Sequence, residues 1–193
     1  PGMSVAIVGP TGAGKTTITD YIRKRLPYTN LYRLSGTNDA TETGKAKAAE
    51  MYYDLLDYMK KLENKSVNLL FDRTFFTEEI YCRMGKKAYS FTDVYNKLEE
   101  QFFNLDFDIY YITLFLGDEQ EYERRLNRPG KAVFAASKFS LDNSRKQQWE
   151  YINLATEIFI KYGDCFNVHL LSIDTSKPIE ETYKQLDNIL SIE

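Results

Sequence analysis

Directly behind the apolar run Val5-Ala6-Ile7-Val8, the chain reads Gly9-Pro10-Thr11-Gly12-Ala13-Gly14-Lys15-Thr16. Every fixed position of G-x-x-x-x-G-K-[ST] is satisfied. Glycines let the backbone wrap so tightly that successive N–H groups converge into an anion-binding nest. The residues that follow, Thr17 to Arg23, predict a helix whose N-terminus adds partial positive charge at the same point. A buried strand, this loop and a helix in immediate succession predict an α/β chain with a nucleoside triphosphate site at the end of its first strand. Gly9, Thr11, Gly12, Ala13, Gly14 and Thr17 are expected to wrap the phosphates. Lys15 is expected to reach the β- and γ-phosphates, and Thr16 to offer its hydroxyl to Mg²⁺.

The remainder of the chain bounds that expectation. Its 193 residues suit one domain with a full core. A net charge of −3 and a pI near 5.4 disfavour a broad nucleic-acid-binding face and leave room for a local cationic pocket. Cys82 and Cys165 are far apart and lack metal-ligand spacing, which predicts a reducing, cytoplasmic setting without a disulfide framework. No stretch has the length and apolarity of a membrane span. Pro1-Gly2 is taken as a foreign leader ahead of a natural start at Met3, giving a single domain over residues 3–193.

Apolar runs and breakers alternate along the chain. Strands are expected at Met3–Val8, Leu31–Leu34, Val67–Phe71, Phe107–Phe115 and Asn167–Ile173. Helices are expected up to Leu26 (stopped by Pro27), over Thr41–Leu62, Phe75–Met84, Phe91–Asn104, Asp118–Asn127, Leu141–Tyr162 and Ile179–Leu190. The sixth of these is expected to carry Trp149, Ile152, Ala155, Phe159 and Tyr162 on one face. Strands alternating with helices predict a five-stranded parallel sheet with helices on both faces.

In such a sheet ligands sit at the carboxyl ends of the strands. Asp72, closing the third strand, is expected to hold Mg²⁺ directly or through water; the alternative is a helix cap or an Arg73 partner. Arg33 and Arg73 are expected at the same mouth, each able to fork onto a phosphate of the acceptor. Arg124, Arg125 and Arg128, ahead of Pro129-Gly130, predict a lid over roughly 124–140 that neutralises charge during transfer, though a basic helix end is a simpler account. His169 is expected to pack rather than react. Phe75, Phe76 and Tyr81 are candidates for walling the acceptor base, with core packing nearly as good an explanation.

This order of motifs resembles the thymidylate kinases and their relatives the deoxynucleoside kinases. The resemblance rests on the phosphate loop, Arg33, Asp72-Arg73, the arginine-rich segment and Asp174-Thr175-Ser176-Lys177. It implies the P-loop kinase fold with a lid, ATP and Mg²⁺ as cofactors, and donor-adenine contacts near Ser176 and Lys177. Thr41-Glu42-Thr43-Gly44-Lys45 also looks like the opening of the second helix in some thymidylate kinases. Two departures stand out. Leu34-Ser35-Gly36-Thr37-Asn38-Asp39 lacks that family's Glu beside Pro, and Thr74 follows Asp-Arg where Tyr or His is usual.

An acceptor 5′-hydroxyl needs a general base, whereas an acceptor monophosphate needs cations. No carboxylate follows the second strand before Asp39, so the sequence favours a deoxynucleoside monophosphate kinase using ATP·Mg²⁺. A deoxynucleoside kinase, a kinase of a modified base in DNA, and a nucleotide-dependent switch are the alternatives. A small-molecule nucleotide partner is expected, without a membrane or stable nucleic-acid partner; a homodimer stays open.

Overall fold

A computed structural model describes residues 1–126 and 141–192. Five strands, β1 (Met3–Val8), β2 (Thr29–Tyr32), β3 (Asn68–Asp72), β4 (Asp108–Phe115) and β5 (Val168–Asp174), form one sheet in the order β2-β3-β1-β4-β5. All four pairings are parallel. The helices are α1 (Lys15–Arg25), α2 (Glu42–Lys61), α3 (Phe75–Arg83), α4 (Thr92–Phe103), α5 (Glu119–Leu126), α6 (Leu141–Tyr162) and α7 (Ile179–Ile189). No helix among the described residues is long and apolar enough to cross a membrane.

Alternation along the central strand divides the core in two. Val5 and Ile7 of β1 pack with Ile18 and Ile22 of α1 and Leu186 of α7. Ala6 and Val8 face the other way, into the aromatic layer that α2, α3, α4 and α6 supply. Both faces of the sheet are therefore covered, and the apolar character of β1 on both sides follows from that.

One strand boundary is corrected. β2 begins at Thr29, two residues earlier than its apolar run, and pairs with β3 from Thr29↔Asn68 onward. Asn68 accounts for the shift: its Nδ2 donates to the Pro27 carbonyl at 3.0 Å, and its Oδ1 accepts from Met3 N at 3.0 Å. These bonds seal the start of the pairing that an apolar pattern cannot mark. On α6 the buried stripe is Ser144, Gln147, Tyr151, Leu154 and Ile158. Trp149, Ile152 and Phe159 lie on the opposite face, exposed at 64%, 44% and 63%. Polar Ser144 and Gln147 turn inward because each has a bond to make there, described below.

β1 is also where the chain changes direction across the sheet. β2 and β3 lie on one side of it and β4 and β5 on the other. The crevice at the carboxyl end of β1 is therefore the expected ligand position in this topology.

Candidate active site

Gly9 leaves β1 where a Cβ would fall 2.7 Å from the Leu114 carbonyl, so only glycine lets the loop pass β4. Gly14 adopts φ 95° as the N-cap of α1, which has neither a side-chain cap nor an acidic residue in its first turn. The helix N-terminus is thus left as an electropositive end.

The loop is held from outside by its carbonyls. Arg125 donates to Gly12 O at 2.9 Å, and the Thr175 hydroxyl donates to Ala13 O at 2.6 Å. Ser144 donates to Thr11 O at 3.0 Å, while Gln147 Oε1 accepts from Thr11 N at 2.8 Å. Lys15 Nζ donates to Gly9 O and Pro10 O at 2.7 and 3.1 Å. With its carbonyls engaged, the loop borders a cavity of about 610 Å³ walled by Thr11 to Ile18, Asp72, Arg73, Arg125, Thr175 and Ile179.

Asp72 ends β3 on that cavity and is only 4% exposed. Its Oδ2 accepts from Arg33 Nε at 3.0 Å, while its buried Oδ1 has no hydrogen-bond partner among the described residues. Burying a carboxylate oxygen without a donor is costly, so this atom invites a cation. Thr16 lines the same cavity. No group of three or more acidic, histidine or cysteine side chains that suits a metal occurs among the described residues. Mg²⁺ needs only one or two protein ligands and completes its shell with phosphate oxygens and water.

Arg73 follows with φ 75°, a left-handed conformation uncommon outside glycine. Its carbonyl accepts from Leu34 N at 3.0 Å, tying it to the segment after β2. Among the described residues its guanidinium has no hydrogen-bond or ion-pair partner. It borders the first cavity and also a second one, of about 330 Å³. The second cavity is walled by the segment Leu34 to Asn38, Tyr52 of α2, Thr77, Glu78 and Tyr81 of α3, and Lys86 and Lys87 beyond it. Thr74 caps α3, its hydroxyl accepting from Phe76 N at 3.3 Å, which aims the helix along this wall.

The structure sorts the remaining candidates. Arg33 lies between Asp72 and Asp20, donating to the Asp20 carboxylate at 3.3 Å, and borders neither cavity. Phe75 and Phe76 are 0% exposed and belong to the aromatic core with Phe102 and Tyr95, so neither walls a pocket. They correct the base-wall expectation: the first turn of α3 points its aromatic side chains at α4, and Tyr81 is the member that reaches the cavity. Arg124 makes an exposed ion-pair set with Asp118 and Glu121, outside the cavity wall. Arg125 borders the cavity through its hold on Gly12, Thr175 and Glu121. Arg128 and residues 127–140 of the expected lid lie outside the described residues.

Ser176 joins two turns, accepting from Asp118 N at 3.2 Å and donating to Asp174 Oδ1 at 2.5 Å. Neither it nor Lys177 lines the first cavity; Thr175 and Ile179 do. Burial opposes ionisation of Asp174, but donation from the Ser176 hydroxyl and the Gly117 and Ser176 amides outweighs it and holds the carboxyl below its ordinary value. His169 stacks on Tyr110, with ring centroids 4.5 Å apart. Sequence reasoning missed Ser144, Gln147, Ile179 and Glu78, and within Asp174–Lys177 it singled out Ser176 and Lys177 rather than Thr175. The signal of the first four is positional, set by partners across the fold.

No family model matches this sequence, and no curated protein matches it. Solved structures do match. Deoxyadenosine kinase from M. mycoides, with dCMP and a flexible dCDP bound, is 21% identical over 98% of both chains with a TM-score of 0.56. The YorR protein from Bacillus subtilis, in complex with phosphorylated GDP, gives 17% identity, 97% and 95% coverage and a TM-score of 0.65. Thymidylate kinase from Candida albicans gives 13% identity, 98% and 91% coverage and a TM-score of 0.65. The chain has the P-loop kinase fold. In this P-loop kinase fold the two cavities and Arg73 between them occupy the carboxyl ends of β1 and β3, where the topology predicts the ligand.

Proposed function

We propose that this protein is a deoxynucleoside monophosphate kinase that transfers the γ-phosphoryl group of ATP. The observation that carries the reading is Arg73, a guanidinium without a hydrogen-bond or ion-pair partner among the described residues, on the wall common to two cavities, with the phosphate loop on one side of it. Two polyanionic ligands would meet across such a residue. The ATP phosphates fit the first cavity, held by the loop amides, the α1 N-terminus and Lys15. A bound phosphate would draw Lys15 Nζ from the Gly9 and Pro10 carbonyls. Thr16 and Asp72 Oδ1 would hold Mg²⁺, which when bound neutralises phosphate charge and orients the transferring group.

Arg73 would fork onto the acceptor phosphate and bring its oxygen in line with the γ-phosphorus. Holding both reactants in one geometry, with cations set where charge develops, is most of what phosphoryl transfer needs from a protein. Asp39 does not supply a base from the segment after β2: its Oδ1 accepts from Thr41 N and Oγ1 at 2.9 and 2.5 Å. Those bonds, with Lys47 nearby, hold it below the ordinary carboxylate range.

A second reading has one observation in its favour. Asp72 Oδ1 has no hydrogen-bond partner among the described residues and would accept a proton from a nucleoside 5′-hydroxyl, giving a deoxynucleoside kinase. A coupled ADP-release assay across deoxynucleosides and their monophosphates decides between the two. Faster turnover of any deoxynucleoside than of every monophosphate overturns the proposal; no acceptor-dependent ADP release overturns both.

A further inference from the structure

One row of α6 touches the walls of both cavities. Ser144 and Gln147, in its first two turns, bind the phosphate loop. Ser144 Oγ donates to Thr11 O at 3.0 Å, and Gln147 Oε1 accepts from Thr11 N at 2.8 Å and from the Thr11 hydroxyl at 3.3 Å. Tyr151 stands one turn further along the same buried row and donates to Thr77 Oγ1 of α3 at 3.2 Å. Thr11 lines the first cavity and Thr77 the second. Residues four apart on a helix share one face and lie about 6 Å apart along its axis. The loop and the α3 wall are therefore hung side by side on a single helix.

α3 is tied to that helix at its other end as well. Arg83 Nη1 donates to Glu157 at 2.8 Å, and beyond it Lys161 donates to Glu99 of α4 at 2.8 Å. Arg73 stands immediately before the cap of α3, so whatever fixes the first turn of α3 also fixes the base of that arginine. Tyr151 is 2% exposed and borders neither cavity, and burial keeps its phenol protonated. It is placed neither to touch a ligand nor to exchange a proton. What its hydroxyl does is hold Thr77.

We infer that Tyr151 is a positioning residue that, with Gln147, couples the two cavities: α6 fixes the phosphate loop and the α3 wall against each other, so that ordering of the loop by a nucleotide is passed to α3. This rests on the reading of the cavities as donor and acceptor sites, and it holds for a nucleoside acceptor as for a monophosphate. In-line transfer tolerates little error in the separation of its reactants, a misplacement of about 1 Å being worth about a hundredfold in rate.

Tyr151→Phe keeps the ring in the aromatic core and removes only the hydroxyl. Its kcat is expected to fall by about tenfold or more, while the KM of ATP and of the best acceptor each stay within about threefold. Gln147→Met keeps the length of the side chain and removes the acceptor for Thr11. Joined to Tyr151→Phe, it is expected to leave kcat within about threefold of the worse single variant, because freeing either end already undoes the coupling. Losses that multiply, or a Tyr151→Phe enzyme whose kcat is unchanged or whose loss lies in KM, overturn the inference. Amide hydrogen exchange gives a readout without turnover. In the wild type, the non-hydrolysable analogue AMP-PNP with Mg²⁺ is expected to slow exchange in α3 as well as in the phosphate loop; in Tyr151→Phe, in the loop alone. Equal protection of α3 in both proteins overturns the inference, and so does a wild-type α3 that gains none. If no acceptor is phosphorylated, the kinase reading fails by itself, and the exchange experiment still decides the coupling.

Discussion

Arg33 Nε donates to Asp72 Oδ2 at 3.0 Å, and this one bond divides the duties of the two carboxylate oxygens. Oδ2 is neutralised by a cation from the end of β2, while Oδ1 stays buried on the phosphate-loop cavity, without a hydrogen-bond partner among the described residues. Two arginines that sequence alone treats alike are thereby separated: Arg33 pairs with the carboxylate, and Arg73 borders both cavities.

Replacing each arginine by methionine keeps the stem and removes the fork. Arg73→Met is expected to raise the acceptor KM by about tenfold to a hundredfold, the worth of one charge-assisted pair. Arg33→Met is expected to change it much less and to lower stability by about 1–2 kcal/mol, discounted because Arg33 is half exposed. Steady-state kinetics and urea melts on both variants check this; equal acceptor effects would restore Arg33 to the acceptor site.

Lys15→Ala removes the cation of the phosphate loop. Its bonds to Gly9 O and Pro10 O are local, so the fold is expected to persist while kcat falls at least about a hundredfold. Near-normal turnover by a variant with wild-type circular dichroism would exclude the mechanism.

Arg125→Met unties α5 from Gly12 and Thr175. Losing these charge-assisted bonds is expected to cost about 1.5–3 kcal/mol. The ATP KM should rise more than the acceptor KM, because the loop and the β5–α7 turn slacken together. The opposite ordering of the two constants would place Arg125 at the acceptor.

Asp174 supplies a pH dependence. Its folded-state pKa lies below the ordinary value of about 3.9, so it adds stability above that pH and loses it as pH falls through the folded value. Asp174→Asn is expected to melt lower than wild type at pH 7, with the gap closing below about pH 4. A gap that stays constant from pH 7 to pH 3 refutes this account of the turn.

The two thiols should react unequally. Cys165 is exposed, whereas burial, followed by Glu78 and Glu79, pushes Cys82 up to about 12. Roughly one Cys82 in ten thousand is then thiolate at pH 8. Labelling with a chromogenic disulfide is expected to show one fast thiol per native chain and two after unfolding. Two fast thiols in the native protein would mean that α3 opens readily.

The sequence by itself determined the sheet, the phosphate loop and the ends of the strands that carry Asp72 and Arg73. Those features are local: a strand, a glycine turn and a helix start are written in consecutive residues, and the apolar alternation of β1 reflects burial on both faces. Only the tertiary structure decided the partners. Gln147 and Ser144 lie more than a hundred residues from the Thr11 they hold, and Arg125 is equally remote from Gly12. On α6 the row that turns inward carries Ser144 and Gln147 to Thr11 and Tyr151, Leu154 and Ile158 into the aromatic core, contacts that its spacing alone does not reveal. Glu78 shows the same limit. In the sequence it is one of 28 acidic residues; in the fold it is a nearly buried carboxylate on the wall of the second cavity, with one oxygen held by Tyr89. Hydrogen-bond partners across a fold leave no periodic mark in the chain, so a residue whose meaning is its partner becomes legible only when the chain has folded.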